Sequence, residues 1–277
     1  MSRNSNSVSK SYPVEHYEKS GIGFPVSVLK AAEVDYFRSA VEELQEALGG
    51  KPSAEDMAQT HIAFKWAHQL VTHTKILDAV EMLIGPNLLV WSTSIFAKYP
   101  RDPGFISWHQ DGTYWGLDSY EVATAWVALT NSTVENGCMR VVPGSHRQPI
   151  HKHVDTYAEN NQLSRGQEIA VDVDEKDALE VVLNAGEMSL HHVNIIHGSN
   201  ANSSDGKRIG FVIRYITPST RQSGHSQPVT LVRGIDEYGH FDLITEGPTV
   251  GIKEGIATHQ KNTRALMESL RKTKGAY

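Results

Sequence analysis

The sequence predicts a mainly β protein with flanking α-helices, a helix-buttressed sandwich or barrel in one domain. Three observations carry this expectation. Apolar residues before position 85 recur at helical spacing, those from Leu88 to Ile216 fall in short runs bounded by turn clusters, and neither an internal repeat nor a low-complexity linker divides the chain. A chain of 277 residues is long enough to bury about 75% of its unfolded surface without disulfide or metal staples.

The elements follow in order. Residues 1–12 are Ser/Asn-rich and read as a mobile tail ahead of a domain over 13–277. Its helical part spans 13–85. Val34, Phe37, Val41, Leu44 and Leu48 share one helix face, which Gly49-Gly50 ends, and a second helix is expected over Phe64–Ile84 before Gly85-Pro86. A β core is expected from about 86 to 220. Strands are predicted at Leu88–Tyr99, Val122–Leu129, Cys138–Val142, Leu179–Leu183, Glu187–Ile196 and Arg208–Ile216, with a long loop over 150–178. A C-terminal extension over 221–277 ends in a helix at Ile256–Leu270.

Composition narrows the function. Hydrophobic residues are 39% and charged residues 21%, as in ordinary globular proteins. With 26 basic and 32 acidic residues the net charge is −6, which argues against a nucleic-acid or anionic-membrane binder. Cys138 stands alone, so an internal disulfide and a cysteine-cluster metal site are excluded. No apolar leader or bilayer-length run is present. A soluble cytoplasmic protein with a small-molecule partner is expected, its oligomeric state open.

The chemistry concentrates in two segments. In Trp108-His109-Gln110-Asp111, His and Asp two apart on an extended chain project to the same side and can hold adjacent positions on one metal ion. In Ile196-His197-Gly198-Ser199, a turn cluster follows and then Arg208; a hairpin about Asn202–Ser203 would set His197 opposite Arg208, with Ser199 on the same face. Two histidines and a carboxylate on one face of iron leave three positions open, and a cation just beyond suits the far carboxylate of a chelating diacid. His191 and His192 precede His197, and His191 shares its parity. Only His197 is followed by Gly-Ser with an arginine across the turn. His146, His151 and His153 lie in or beside a loop and read as solvated or capping residues. Arg140, in the Asn136-Gly137 strand, reads as structural.

Taken together, Lys98-Tyr99-Pro100, WHQD, AWVAL, NGCMRVVPGSH and HGSN with Arg208 eleven residues after His197 resemble the phytanoyl-CoA dioxygenase family of Fe(II)/2-oxoglutarate oxygenases. The resemblance implies a double-stranded β-helix, a cupin-like jelly roll with external helices. It implies iron ligation by His109, Asp111 and His197, a 2-oxoglutarate clamp of Arg208 and Ser199, and Trp126 and Lys98 bordering the cosubstrate. O2 is the second cosubstrate, and hydroxylation the expected outcome. Halogenating members carry a small residue where Asp111 stands. Trp115, Tyr114 and Arg214 are candidate substrate contacts, with Arg101, Arg140 and Arg221 as further cations. No basic cluster suited to coenzyme A is seen, and the chain resembles bacterial members acting on small polar metabolites such as aminoalkylphosphonates or amino-acid derivatives. The alternatives are a cupin-type metal hydrolase or isomerase that does not use 2-oxoglutarate, and a non-catalytic binding protein.

Overall fold

Strands drawn from distant parts of the chain meet in one large sheet, antiparallel except for its last edge pair. The computed structural model describes residues 12–272 apart from 54, 114, 164, 165, 172 and 224–226, and gives no side-chain placement for 12 and 265–272. The expected tail thus lies outside the described residues except for Tyr12, which begins α1 (Tyr12–Ser20).

β1 (Ile22–Ser27) interrupts the stretch expected to be helical. Gly21 at positive φ ends α1, and the apolar Ile-Gly-Phe-Pro-Val run pairs with a sheet edge, where proline's missing donor is tolerated. The expected amphipathic helix is α2 (Ala31–Ala47), burying Val34, Phe37, Val41 and Leu44. The helix expected over 64–84 is two, α3 (Lys65–Val71) and α4 (Thr74–Ile84). The break falls where the Thr72 hydroxyl donates to His68 O and His73 takes up extended backbone.

The strands are β2 (Leu88–Lys98), β3 (Ile106–His109), β4 (Val122–Ala128), β5 (Met139–Val141), β6 (His153–Asp155), β7 (Gln167–Ile169), β8 (Leu179–Val181), β9 (Glu187–His192), β10 (His197–Ser199), β11 (Arg208–Ile216), β12 (Val229–Arg233) and β13 (Leu243–Ile244). α5 (Ile252–Lys272) closes the described chain, starting four residues earlier than expected. The large sheet runs β1-β9-β4-β11-β2-β12-β13 and faces a smaller one, β3-β10-β5-β8. Within the expected loop over 150–178, β6 and β7 form a two-stranded ribbon. This is the mainly β, helix-flanked jelly roll that the sequence predicts.

Alternation sorts each central strand between two cores. Ile209, Phe211, Ile213 and Tyr215 of β11, with Ala123, Ala125 and Val127 of β4, pack outward against Val41, Leu70, Ile76 and Val80 of the helices. Each fully buried Val, Leu, Ile or Phe among them contributes about 1.5–3 kcal/mol. The intervening positions, Val212 and Trp126 among them, face the smaller sheet through Met139, Val141 and Ile195. Tyr215 Oη donates to Val71 O and ties β11 to α3. Among the described residues no helix is long and apolar enough to cross a membrane.

Candidate active site

A cavity opens between the two sheets, lined by residues that include His109, Asp111, His197, Ser199, Arg208 and Arg214. β3 and β10 bring its histidines together. His109 and His197 are Cα partners across that antiparallel pair, and their ring centroids lie 4.1 Å apart. The β10 strand approaches closely because position 198 is glycine: a Cβ there would lie 2.8 Å from Ile106 O. Asp111 is not on an extended continuation of β3, as the sequence suggests, but begins a 3-10 turn at Asp111–Thr113. It still reaches the histidines, with Oδ1 3.4 Å from His109 Nε2.

One ligating atom from each of His109, Asp111 and His197 lies within 4.8 Å of the others, the one such group of three or more among the described residues. Both imidazoles are oriented from behind. His109 Nδ1 lies 2.9 Å from Ser107 O and His197 Nδ1 3.0 Å from Ile195 O. A carbonyl only accepts, so each Nδ1 carries the proton and each Nε2 presents a lone pair to the centre. Burial, then the proximity of His109, pushes His197 down to about 4, keeping it neutral at neutral pH. Burial works against ionisation of Asp111; the permanent charge of Arg214 favours it, as would a proton on either facing imidazole, and the carboxyl is held below the usual range. Lone pairs and a carboxylate converging on one point form a donor set that a divalent cation fits.

At the other end of the cavity Arg208 is 1% exposed. Here the structure corrects the hairpin expected between His197 and Arg208. β10 belongs to the small sheet and β11 to the large one, and the Asn200–Lys207 turn crosses between them. Apolar runs and a turn cluster look alike whether the chain folds back beside itself or passes to the facing sheet. The two residues are therefore on opposing walls. Arg208 Nη1 donates to Gly137 O at 2.6 Å, its guanidinium lies 5.3 Å from the Trp126 ring centre, and its Nε has no partner. Burial lowers its pKa to about 10, leaving it charged. Lys98, the Cα partner of Arg208, is buried behind Ser199; its Nζ donates to Ser199 Oγ at 2.7 Å and to Asn200 O. Burial and the charge of Arg208 push Lys98 down to about 6.

The remaining predicted contacts separate clearly. Trp126 lines the cavity, its indole seated where a Cβ at Gly210 would collide with it. Trp115 packs against Trp91 at 5.0 Å between centroids, and Arg214 lies over it. Tyr114 is outside the described residues. Arg101 pairs with exposed Asp205, Arg140 with Glu175 and Glu180, and exposed Arg221 uses its backbone N–H on Asp118. Of these four arginines only Arg214 reaches the cavity. His192 turns away, toward His146 and Tyr17. His153 Nε2 accepts from Gln110 N. Sequence reasoning missed His191 as a cavity residue and Gly210 as the seat of the Trp126 indole. His191 lines the cavity with its ring centroid 5.2 Å from that of His197; the parity it shares with His197 was the available signal. For Gly210 the signal was a glycine inside a strand.

Fold and site together define a class: a helix-backed double-stranded β-helix presenting two histidines and a carboxylate, the architecture of non-heme iron, 2-oxoglutarate-dependent oxygenases. A sequence profile of the phytanoyl-CoA dioxygenase (PhyH) family matches residues 17–210, and the chain belongs to that family. A probable alpha-ketoglutarate-dependent hypophosphite dioxygenase of Stutzerimonas stutzeri is 30% identical over 158 residues, covering 56% of this chain and 54% of that protein. The chain spans about half the length of the curated relatives it matches. The structure of the non-heme monooxygenase ThoJ superposes with a TM-score of 0.80 at 34% identity, covering 94% of this chain and 98% of the other. That of SnoK, a non-heme alpha ketoglutarate dependent carbocyclase from nogalamycin biosynthesis, gives 0.64 at 28% identity over 77% and 86% of the two chains.

Proposed function

We propose that this chain is an Fe(II)- and 2-oxoglutarate-dependent hydroxylase of a small polar metabolite, an aminoalkylphosphonate or amino-acid derivative. The observation that carries the reading is the presence, in one cavity, of the His109–Asp111–His197 donor set and a buried Arg208 with Ser199. The donor set fits Fe(II), since two imidazoles and one carboxylate leave coordination positions for a chelating cosubstrate and oxygen. The Arg208 end fits a carboxylate, because a permanently charged fork keeps an unpartnered Nε–H in a buried wall.

Bound together, iron and 2-oxoglutarate supply the oxidising chemistry, in which R–H, 2-oxoglutarate and O2 become R–OH, succinate and CO2. The chain supplies orientation and a dry cavity. Ser107 O and Ile195 O fix the rings of His109 and His197. Arg208 and Ser199 anchor the far carboxylate. Because Lys98 donates to Ser199 Oγ, the serine hydrogen is left to point into the cavity. Trp126, Val212 and Met139 keep water from the space between. Asp111 fills the position that a halide takes in halogenating relatives, which supports hydroxylation.

The test is anaerobic addition of 2-oxoglutarate to the Fe(II)-loaded protein, followed by a metabolite panel under O2 scored for stimulated succinate release. A visible charge-transfer band and substrate-dependent succinate are expected. Fe(II) binding with neither band nor succinate would overturn the reading in favour of a metal-dependent hydrolase or isomerase.

A further inference from the structure

Arg214 lies six residues beyond Arg208 on β11, on the same face, and lines the same cavity. At about 3.3 Å per residue their Cα atoms are roughly 20 Å apart. One small anion does not span both, so a cosubstrate held at Arg208 leaves Arg214 with only the more distant charge of Asp111 to balance it. Among the described residues Arg214 forms no ion pair. Its Nη1 donates to Ser92 Oγ at 3.3 Å and Ser94 Oγ at 3.1 Å, and its Nε has no partner.

The sheet register shows what surrounds it. Arg214 is the Cα partner of Ser92 on β2 and of Thr124 on β4, and Thr124 is in turn the partner of His191 on β9. Directly opposed residues project from the same face of a sheet. Ser92, Arg214, Thr124 and His191 therefore form a polar row across four neighbouring strands, between the apolar pairs Val212–Trp126 and Ile216–Val122. Thr124 Oγ1 and His191 Nδ1, like Arg214 Nε, are buried without a hydrogen-bond partner. Buried polar atoms are rarely left unpaired in folded proteins; three in register on one sheet face, with Arg214 and His191 lining the cavity and Thr124 buried between them, define a place for an acceptor-rich group. Trp115, its ring centre 5.0 Å from the guanidinium and packed against Trp91, covers one side of the cation. The row adjoins the metal-ligand set, since Arg214 is near enough to favour ionisation of Asp111.

We propose that this row is the substrate's oxyanion subsite, in which Arg214, with Thr124 and His191, takes a carboxylate or phosphonate and so selects small anionic substrates. This deepens the hydroxylase reading and rests on it for the assignment of the Arg208 end to 2-oxoglutarate.

The test titrates methylphosphonate, acetate and uncharged dimethyl sulfone into protein loaded anaerobically with Fe(II) and saturating 2-oxoglutarate, read by calorimetry and by perturbation of the charge-transfer band. Wild type is expected to bind at least one oxyanion saturably and the sulfone not at all, and the two anion arms identify which oxyanion the row prefers. Arg214→Gln should weaken anion binding roughly 10- to 100-fold, the loss of a charge-assisted pair. Arg214→Lys should recover part of it, and Thr124→Val should cost several-fold, with 2-oxoglutarate affinity within twofold of wild type throughout. The lysine and valine variants carry the test if Arg214→Gln does not fold. Equal anion affinity in wild type and variants, or no saturable binding by wild type, would overturn the proposal. So would an Arg214→Gln protein that loses Fe(II) affinity but keeps the anion, since Arg214 would then position Asp111 instead. A wild type that gives no band yet binds methylphosphonate with the same Arg214 dependence keeps the subsite and loses the 2-oxoglutarate reading.

Discussion

His109 and His197 face each other as Cα partners on adjacent antiparallel strands, each with its Nδ1 held by a backbone carbonyl two residues earlier. The same local geometry, a histidine bonding back to the i−2 carbonyl, fixes both rings without help from a distant side chain. Orientation of the donor set is thus a property of β3 and β10 themselves, and Asp111 adds its charge from the turn that follows β3.

Replacing His109, Asp111 or His197 by Ala is expected to abolish turnover and to lower Fe(II) affinity at least 10-fold, since each removes one of the three atoms proposed to hold iron. His192→Ala, on the face that meets His146 and Tyr17, should bind iron like wild type. Anaerobic Fe(II) titration of the four variants checks this. Retained iron binding in His197→Ala with loss in His192→Ala would reverse the assignment.

Arg208→Ala should weaken 2-oxoglutarate roughly 10- to 150-fold, because a hydrogen bond to a charged group is worth about 1.5–3 kcal/mol. Arg208→Lys should recover only part, since an ammonium keeps charge but not the planar fork. Titration of the charge-transfer band measures both, with Fe(II) affinity as the control that should not move.

Lys98 and Ser199 are expected to act as one unit. Ser199→Ala removes a neutral donor worth about 1 kcal/mol. Lys98→Met removes the group that directs that donor, the Nζ–Oγ bond of 2.7 Å. The double variant should therefore lose less 2-oxoglutarate affinity than the two single losses combined. Strict additivity in this cycle would show that Lys98 acts independently of Ser199.

The sequence made the layer order legible because β11 and β4 alternate cleanly: Phe211 and Ile213 serve one core while Val212 and Trp126 serve the other. It also made the His109–Asp111–His197 cluster legible, since His109 and Asp111 are neighbours in the chain and His197 carries a distinctive Gly-Ser after it. What it hid was pairing between remote segments. Nothing local says that β10 joins β3 and β5 while β11 joins β2 and β4, so Arg208 was expected beside His197 and not across the cavity. β1 was hidden for the same reason: its six residues form a strand because β9 offers an edge. The polar row through Arg214 exists only in that register, as Thr124 lies 90 residues from Arg214 and 67 from His191 in sequence.

Acid should destabilise the fold through histidines far from the cavity as well as near it. His61, 1% exposed, bonds Thr93 Oγ1 through Nδ1, while its Nε2 has no partner. Burial, reinforced by nearby His68, pushes it down to about 3 from an ordinary 6.5. The native pKa is the lower one, so on acidification the unfolded chain takes up the proton first. The contribution of neutral His61 is fully present above pH 6.5 and is lost as pH falls from there toward 3. At pH 5 the unfolded state gains about 2 kcal/mol from this proton, at 1.36 kcal/mol per pH unit. His61→Gln, which keeps a hydrogen-bonding group for Thr93 but cannot titrate, should thus show a drop in unfolding free energy between pH 7 and pH 5 that is about 2 kcal/mol smaller than that of wild type. Urea denaturation of both proteins at the two pH values measures it. An identical drop would mean that His61 takes up its proton in the folded protein at an ordinary pKa.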